Sequence, residues 1–172
     1  RVVSRSEGRL PTASLRVDEK KRILTIHNAN IEVRVNTRTG FVEDLSLAGR
    51  PILAAPLLPN YFRALIDNDR QFANINPVKM LGMVDGLKWK NVSAELCLKD
   101  CSAEDGEGSI RVTSAYTHPL FNGEVKLTYT VDGTGMLYVA HTANPVSQPY
   151  RIGMMTEILA EYQNFTWFGR GP

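Results

Sequence analysis

The sequence predicts an all-β protein built as an antiparallel β-sandwich, and three observations support this fold class. Apolar and polar residues alternate with a period of two along most of the chain, as they do in strands with one buried face. Turn-forming residues separate the alternating segments at short intervals. Only residues 77–83 have a pattern compatible with a helix, and Gly82 and Gly86 keep this segment short. Many strands with almost no helix are typical of a sandwich.

The predicted strands pair as hairpins wherever a turn sequence lies between them. The first two flank a turn at 18–22, the third and fourth flank Thr-Arg-Thr-Gly at 37–40, and the seventh and eighth flank Asp-Gly-Thr-Gly at 132–135. The third strand shows the alternation most clearly, since its first, third and fifth residues are apolar and the residues between them are polar. The predicted strands, in chain order, are 15–17, 23–26, 31–36, 41–47, 87–98, 110–118, 125–131, 136–142, 152–160 and 164–168.

Length and charge restrict the classes of partner. The 172 residues are enough for one domain with a sizeable core, which we assign to 14–172, with the charged segment 1–13 as an interdomain connector. The 20 basic and 18 acidic residues are scattered, so we expect no nucleic acid partner. No apolar run approaches the ~18 residues that span a bilayer, so we expect no membrane partner. Because the chain opens on Arg1 rather than methionine, we expect it to be a fragment.

Cysteine and histidine residues predict neither a disulfide nor a metal site. Cys97 and Cys101 are four positions apart, which is not a metal-binding Cys-x-x-Cys spacing, and two isolated thiols fit a reducing compartment such as the cytoplasm. The three histidines, His27, His118 and His141, lie on different predicted strands without the spacing that metal ligands show.

The most informative run is Pro-Asn-Tyr-Phe-Arg-Ala-Leu-Ile-Asp-Asn-Asp at 59–69. The Asp67-Asn68-Asp69 end predicts a turn, because these side chains hydrogen-bond to nearby backbone. Arg63 can form a forked ion pair with Asp67 or Asp69, and the two aromatic residues supply bulk for burial. A loop that pins two sheet layers together is one interpretation. In the other interpretation, Asp67 and Asp69 form a functional carboxylate pair. Such residues more often cap a turn.

Other residues offer weaker signals. Glu157 and Glu161 occupy positions where exposed polar residues are expected on a strand and at its end. His118 and Glu157 together would supply the histidine and carboxylate of a mutarotase-type site. Trp89 lies on an alternating segment between two lysines, and we expect it in the core.

The run at 59–69 resembles the segment that opens the core of the C-terminal small-chain domain of large bacterial β-galactosidases, Pro-Asn-Phe-Trp-Arg-Ala-Pro-Thr-Asp-Asn-Asp. A second run, Trp-Phe-Gly-Arg-Gly-Pro at 167–172, resembles the Trp-aromatic-Gly-x-Gly-Pro of the same family, and about a hundred residues separate the two, as in the family. The chain departs from the family at Leu65 and Ile66, which replace Pro-Thr, and near Gln71, where a glycine is expected.

The resemblance implies a two-layer antiparallel supersandwich related to galactose mutarotases, of which this chain holds the N-terminal part. It implies a parent enzyme that hydrolyses terminal β-galactosides with two glutamates on a separate (β/α)₈ barrel, so that this chain has no catalytic residue. Magnesium and sodium ions are implied for the parent, with ligands on other domains. The implied partners are the barrel domain, further subunits of a homo-oligomer and, indirectly, the galactoside. The residues implied near the active-site mouth are Arg63, Asp67, Asn68, Asp69, Arg70 and Gln71.

Two alternatives from other classes stay open. The chain could be a stand-alone carbohydrate-binding sandwich, for which exposed aromatic residues lining a groove would be evidence, or an aldose epimerase of the mutarotase type. If the chain is the N-terminal part of the family domain, as the resemblance implies, a sandwich cut partway leaves strand edges and apolar surface uncovered. We therefore expect the isolated chain to self-associate or to be marginally stable.

Overall fold

The computed structural model describes residues 15–64, 66, 86–164 and 166. Within these ranges the chain forms eleven strands and one short helix, α1, and the two residues 86–87 are also helical. The strands belong to antiparallel sheets, which confirms the predicted all-β fold class. The elements, in chain order, are β1 Arg16–Lys20, β2 Ile23–His27, β3 Ile31–Asn36, β4 Val42–Leu47, β5 Arg50–Pro51, β6 Leu58–Asn60, α1 Val92–Glu95, β7 Cys97–Gly106, β8 Ser109–Thr117, β9 Val125–Asp132, β10 Leu137–Thr142 and β11 Gly153–Met155.

Three sheets make up the described fold. The first sheet has the strand order β1-β2-β3-β4-β5, and the second has the order β10-β9-β8-β7. Neighbouring strands are mostly consecutive in sequence, so most connections are short hairpins. The third sheet pairs β6 with β11 and so brings together parts of the chain about ninety residues apart.

The predicted alternation sets which face of each strand is buried. On β3, Ile31, Val33 and Val35 are buried while Glu32 and Arg34 are exposed. The same alternation occurs on β9, whose apolar residues are all buried. The period-two pattern therefore predicted the inward faces of both large sheets correctly.

The two large sheets face each other across one core, to which both contribute buried residues. At one end of the core, the rings of Phe41 and Tyr116 stack with centroids 5.3 Å apart. Nearby, the Ser114 hydroxyl donates a hydrogen bond to the Gly40 carbonyl over 2.9 Å. Elsewhere, the Asn28 amide donates to the Gly133 carbonyl of the β9–β10 turn over 3.1 Å. Side chains of one sheet thus hold turns of the other, as expected for a sandwich.

The predicted strand at 87–98 is wrong over most of its length. The Trp89 N–H donates to the Gly86 carbonyl in a turn, and α1 follows at Val92–Glu95. Trp89 and Val92 are both buried, and their spacing of three suits a helical turn rather than a strand. The strand β7 instead begins at Cys97 and extends to Gly106, over residues that are mostly exposed.

The predicted strand at 152–160 is also shorter than expected. Only Gly153–Met155 forms a strand, after which Ile158 makes a single bridge with Leu53. After β11, which pairs with β6, the main chain pairs instead with residues 53–54. The Ala54 N–H donates a hydrogen bond to the Glu157 carbonyl. The first hairpin is tighter than predicted, because only Lys21 and Arg22 separate its strands, both with positive φ. The connector 1–13, the helix at 77–83 and most of the strand at 164–168 lie outside the described residues.

Candidate functional site

The motif at 59–69 begins on β6 and leaves it through a hydrogen-bonded bend. The Asn60 side-chain oxygen accepts a hydrogen bond from the Phe62 N–H over 3.0 Å, which turns the chain immediately after the strand. The Ser93 hydroxyl of α1 donates to the Pro59 carbonyl and fixes the helix against β6. The short helix missed by sequence reasoning therefore holds the start of the motif.

Tyr61 is the centre of a buried aromatic cluster. Its side chain has no solvent exposure, and its ring lies 5.0 Å from that of Phe121 and 6.1 Å from that of Trp89, measured between centroids. Its hydroxyl lies 2.8 Å from Nε2 of His141 on β10. Rings at these distances and tilted angles pack favourably. The predictions that Tyr61 supplies buried bulk and that Trp89 belongs to the core are confirmed.

Burial keeps Tyr61 and His141 in their neutral forms. It raises the pKa of the Tyr61 hydroxyl above its ordinary value of 10.0. Burial also lowers the pKa of His141, although an interaction with the Gly153 backbone partly opposes this. Desolvation penalises the charged form of each group. The pair is therefore a hydrogen bond between neutral side chains, which suits an anchor for the motif better than a proton-transfer pair.

Phe62 and Arg63 leave the cluster and meet Tyr150, which comes from the segment between β10 and β11. The Phe62 and Tyr150 rings are 5.8 Å apart in an edge-on arrangement. The guanidinium carbon of Arg63 lies 5.6 Å from the centre of the Tyr150 ring, within the range of a cation–π interaction. Nη1 of Arg63 also donates to the Ala64 carbonyl over 3.1 Å. Arg63 is only half exposed, so its charge is held against an aromatic surface.

The other residues expected near an active-site mouth are Asp67, Asn68, Asp69, Arg70 and Gln71, and all of them lie outside the described residues. The proposed ion pair of Arg63 with Asp67 or Asp69, and the second motif at 167–172, likewise stay predictions. The structure thus places one of the six expected residues, Arg63.

His118 pairs with Glu95 rather than with Glu157. Its Nε2 lies 3.3 Å from the Glu95 carboxylate, and its Nδ1 accepts a hydrogen bond from the Leu120 N–H over 3.2 Å. Because Nδ1 accepts, Nε2 carries the proton and donates to Glu95. Both ring nitrogens are therefore occupied, and the imidazole has no free lone pair with which to accept a proton from a sugar hydroxyl.

Metal and thiol chemistry receive no support from the part of the chain that the structure describes. No group of three or more histidine, cysteine, aspartate or glutamate side chains there is arranged to hold a metal ion. Cys97 and Cys101 are both free thiols on β7, and burial is the main cause that raises the pKa of Cys101. No helix in the described ranges has the length and hydropathy to cross a bilayer.

An open surface groove of about 490 Å³ lies between the β4–β5 turn and the segment after β11. Arg50 and Glu161 bring one charge of each sign to it, and Tyr162 brings one aromatic ring. The Tyr162 hydroxyl donates to the Pro51 carbonyl over 3.0 Å, so the ring is fixed at the groove. The volume is within the range of small-molecule sites.

Sequence reasoning missed Tyr150, Gly86 and His141 as neighbours of the motif, and Glu95 as the partner of His118. None of them stands close to it in sequence or matches a pattern that would link it to the motif. The one available signal was Gly86, which sequence reasoning treated only as the end of a short helix. Its packing against Tyr150 depends on a contact between residues 64 positions apart.

The fold and the site define the class of protein as an antiparallel all-β sandwich whose motif is anchored by an aromatic cluster. The sequence matches the family described as beta galactosidase small chain over residues 27–172, and the chain belongs to this family. It is also 28% identical over 153 residues to a beta-galactosidase from Lactobacillus delbrueckii subsp. bulgaricus. The aligned part covers 87% of this chain and 14% of that protein, so the chain spans a small part of the relative's length. The resemblance inferred from the two motifs is confirmed.

Proposed function

We propose that this chain is a non-catalytic segment of a β-galactosidase that supports the active site of the parent enzyme, which hydrolyses terminal β-D-galactosides. The family match over residues 27–172 carries the proposal. The name of the Lactobacillus relative, and the small share of it that the chain covers, are consistent with a support role inside a larger polypeptide.

The geometry of the site supports a structural role for the motif. Tyr61 is buried and its hydroxyl faces a neutral histidine, so the first half of the motif builds a rigid platform. Arg63 leaves this platform half exposed and carries the one charge of the motif that the structure describes. A glycosidase needs two carboxyl groups about 5–10 Å apart across the scissile bond. In this proposal, a barrel domain of the same polypeptide supplies them.

The proposal includes the finer features that the family resemblance implies. The described sandwich is the N-terminal part of a galactose mutarotase-like supersandwich, and the parent is a homo-oligomer located in the bacterial cytoplasm. Two free thiols are consistent with that reducing compartment. Magnesium and sodium ions would bind to the parent enzyme through ligands on other domains, as the family resemblance implies.

The test compares this chain with the full-length polypeptide from the same gene. Both are expressed in a host that lacks its own β-galactosidase and are assayed with a nitrophenyl β-galactoside. We expect turnover by the full-length protein and none by residues 1–172. Hydrolysis by the isolated chain would contradict the non-catalytic role, and an inactive full-length protein would contradict the β-galactosidase assignment.

Carbohydrate binding is a second candidate function, and the groove at Tyr162 is the observation that favours it. Aromatic rings beside polar groups are suited to contacts with sugars, which have apolar faces and hydroxyl edges. Titration of the isolated chain with galactose, followed by nuclear magnetic resonance, should give saturable shifts for groove residues if this function exists. The same shifts should vanish in Tyr162→Ala and persist in Tyr138→Ala, which alters a tyrosine on β10. Absence of saturable shifts in the unmodified chain would reject this candidate.

A further inference from the structure

Tyr150 contacts two parts of the chain that are more than twenty residues apart in sequence. On one side it meets Phe62 and Arg63, which follow β6. On the other side it meets Gly86, where the described chain resumes before α1. A single ring thus contacts both Arg63 and Gly86, which are far apart in the sequence.

The contact with Gly86 leaves no space for a side chain. A Cβ atom built on Gly86 would lie 2.2 Å from Cε2 of Tyr150 and 2.4 Å from its Cζ, far inside van der Waals contact. Gly86 is itself buried. The backbone at Gly86 therefore packs directly against the ring and restricts where the ring can lie.

The ring in turn restricts Arg63. Arginine has a long side chain with many rotamers, and its planar guanidinium stacks well on aromatic surfaces. With the guanidinium carbon 5.6 Å from the ring centre, the cation–π attraction and the packing of Phe62 favour one arrangement. The position of the Arg63 charge thus depends on Tyr150, and the position of Tyr150 depends on Gly86.

We propose that Tyr150 is a positioning residue that holds the Arg63 guanidinium in place, and that this guanidinium contacts the galactoside in the parent enzyme, where the family resemblance places Arg63 near the active-site mouth. This inference rests on the proposed function and adds a residue to it. Tyr150 acts through Arg63, so the aromatic ring is the part that matters and the phenol hydroxyl is not required.

Steady-state kinetics of the full-length enzyme with a nitrophenyl β-galactoside test the proposal. We expect Tyr150→Leu and Arg63→Met each to lower kcat/KM about tenfold, mainly through a higher KM, because a binding contact is lost. The double variant should lose no more than either single variant, since both changes remove the same interaction. Tyr150→Phe keeps the ring and should stay within about twofold of the unmodified enzyme. Tyr138→Leu is the matched control and should leave the kinetics unchanged.

Gly86→Ala gives an independent test if Tyr150→Leu fails to fold. It displaces the ring while Tyr150 and Arg63 stay chemically intact, so it should also raise KM. Each variant's thermal midpoint is measured alongside the kinetics. If Tyr150→Leu and Gly86→Ala lower the thermal midpoint but leave kcat and KM unchanged, the ring has only a packing role and the proposal is overturned. The proposal is also overturned if the loss of kcat/KM in the double variant equals the sum of the two single losses in free energy. An inactive unmodified enzyme would overturn the proposed function and this inference together, whereas an active enzyme insensitive to Tyr150→Leu would overturn only this inference.

Discussion

At the scale of single residues, Tyr61 and His141 show how the motif is tied to the sandwich. Tyr61 follows β6 and His141 lies on β10, so their 2.8 Å hydrogen bond joins the small sheet to the second large sheet. The rings of Trp89 and Phe121 pack against that of Tyr61. A buried polar pair of this kind is stable only while both members stay neutral and hydrogen-bonded.

The stability of the domain should therefore depend on pH through His141. Burial lowers the folded-state pKa of His141 below its ordinary value of 6.5, so the unfolded chain binds the proton more tightly. The contribution of neutral His141 to the free energy of unfolding is fully present above the pKa that His141 has in the unfolded chain. It is lost as the pH falls through that value toward the folded-state pKa. Urea unfolding followed by tryptophan fluorescence at pH 7.5 and 5.5 should show a lower free energy of unfolding at the acid pH. His141→Gln should show a smaller loss, and equal losses in both proteins would contradict the assignment to His141.

Gly40 offers a second test, because both its conformation and its surroundings require glycine. Its φ is +74°, and an added Cβ would lie 2.4 Å from the Tyr116 hydroxyl oxygen and 2.8 Å from the Ser114 hydroxyl oxygen. Left-handed backbone costs a residue with a side chain about 1–2 kcal/mol, and overpacking adds about 1–3 kcal/mol. We expect Gly40→Ala to lower the free energy of unfolding by about 2–5 kcal/mol in urea titrations.

Gly49 is the matched control for this substitution. It has nearly the same φ, +76°, but an added Cβ would meet nothing within 4 Å. Gly49→Ala should therefore show the backbone cost alone, about 1–2 kcal/mol. Equal effects of the two substitutions would mean that Tyr116 and Ser114 move aside without cost.

At the scale of elements, the outer strands of the two large sheets differ in how well their edges are protected. The outer strand β1 is fully exposed and rich in charge, and β7 carries four charged residues, while β5 is only two residues long. Charges and short length discourage pairing with another chain. The remaining edge strand, β10, has the sequence Leu-Tyr-Val-Ala-His-Thr and none of these protections.

Val139 on β10 marks an uncovered part of the core face. It pairs with Tyr129, which is completely buried, so both side chains lie on the inward face of the sheet. Val139 is nevertheless 38% exposed, and its neighbour Tyr138 is 40% exposed. Among the residues that the structure describes, the first sheet therefore does not extend over β10, and this edge is suited to accept another strand.

We expect the isolated chain to self-associate through β10 at micromolar concentration. Size-exclusion chromatography with light scattering should show species larger than a monomer, and Val139→Lys should shift the population toward monomer, because an inward-pointing lysine on an edge blocks strand addition. Ala103→Lys, an exposed position on the opposite edge strand β7, should leave the distribution unchanged. A monomer with a sharp thermal transition in the unmodified chain would contradict this expectation.

At the scale of the whole molecule, the two large sheets share one core and are linked by side chains that hold the turns of the opposite sheet. Ser114 of β8 bonds to Gly40, and Asn28 bonds to Gly133. Tyr61 and its neighbours Trp89 and Phe121 belong to this core, and the start of the motif is attached to it through β6, β11 and α1. The arrangement anchors Tyr61 and Phe62 to the sandwich, which is consistent with the proposed support role.

The sequence by itself determined the fold class, most of the strands and the family. Alternation predicted the buried faces of β3 and β9, because a strand's side-chain period is fixed by local backbone geometry. The turns at 37–40 and 132–135 were also predictable, since glycine and aspartate favour such turns wherever they occur. The motif at 59–69 predicted family membership, which needs no knowledge of contacts.

Only the tertiary structure decided which residues surround the motif. Residues 87–95 alternate like a strand, yet they form turns and a helix. Burial of Trp89 and Val92, with Trp89 packed against Tyr61, outweighs the local preference. Tyr61 meets His141 across 80 positions, and Gly86 meets Tyr150 across 64. Contacts over such separations leave no local pattern in a single sequence, because they are selected by the packing of complete sheets rather than by the chain near each residue.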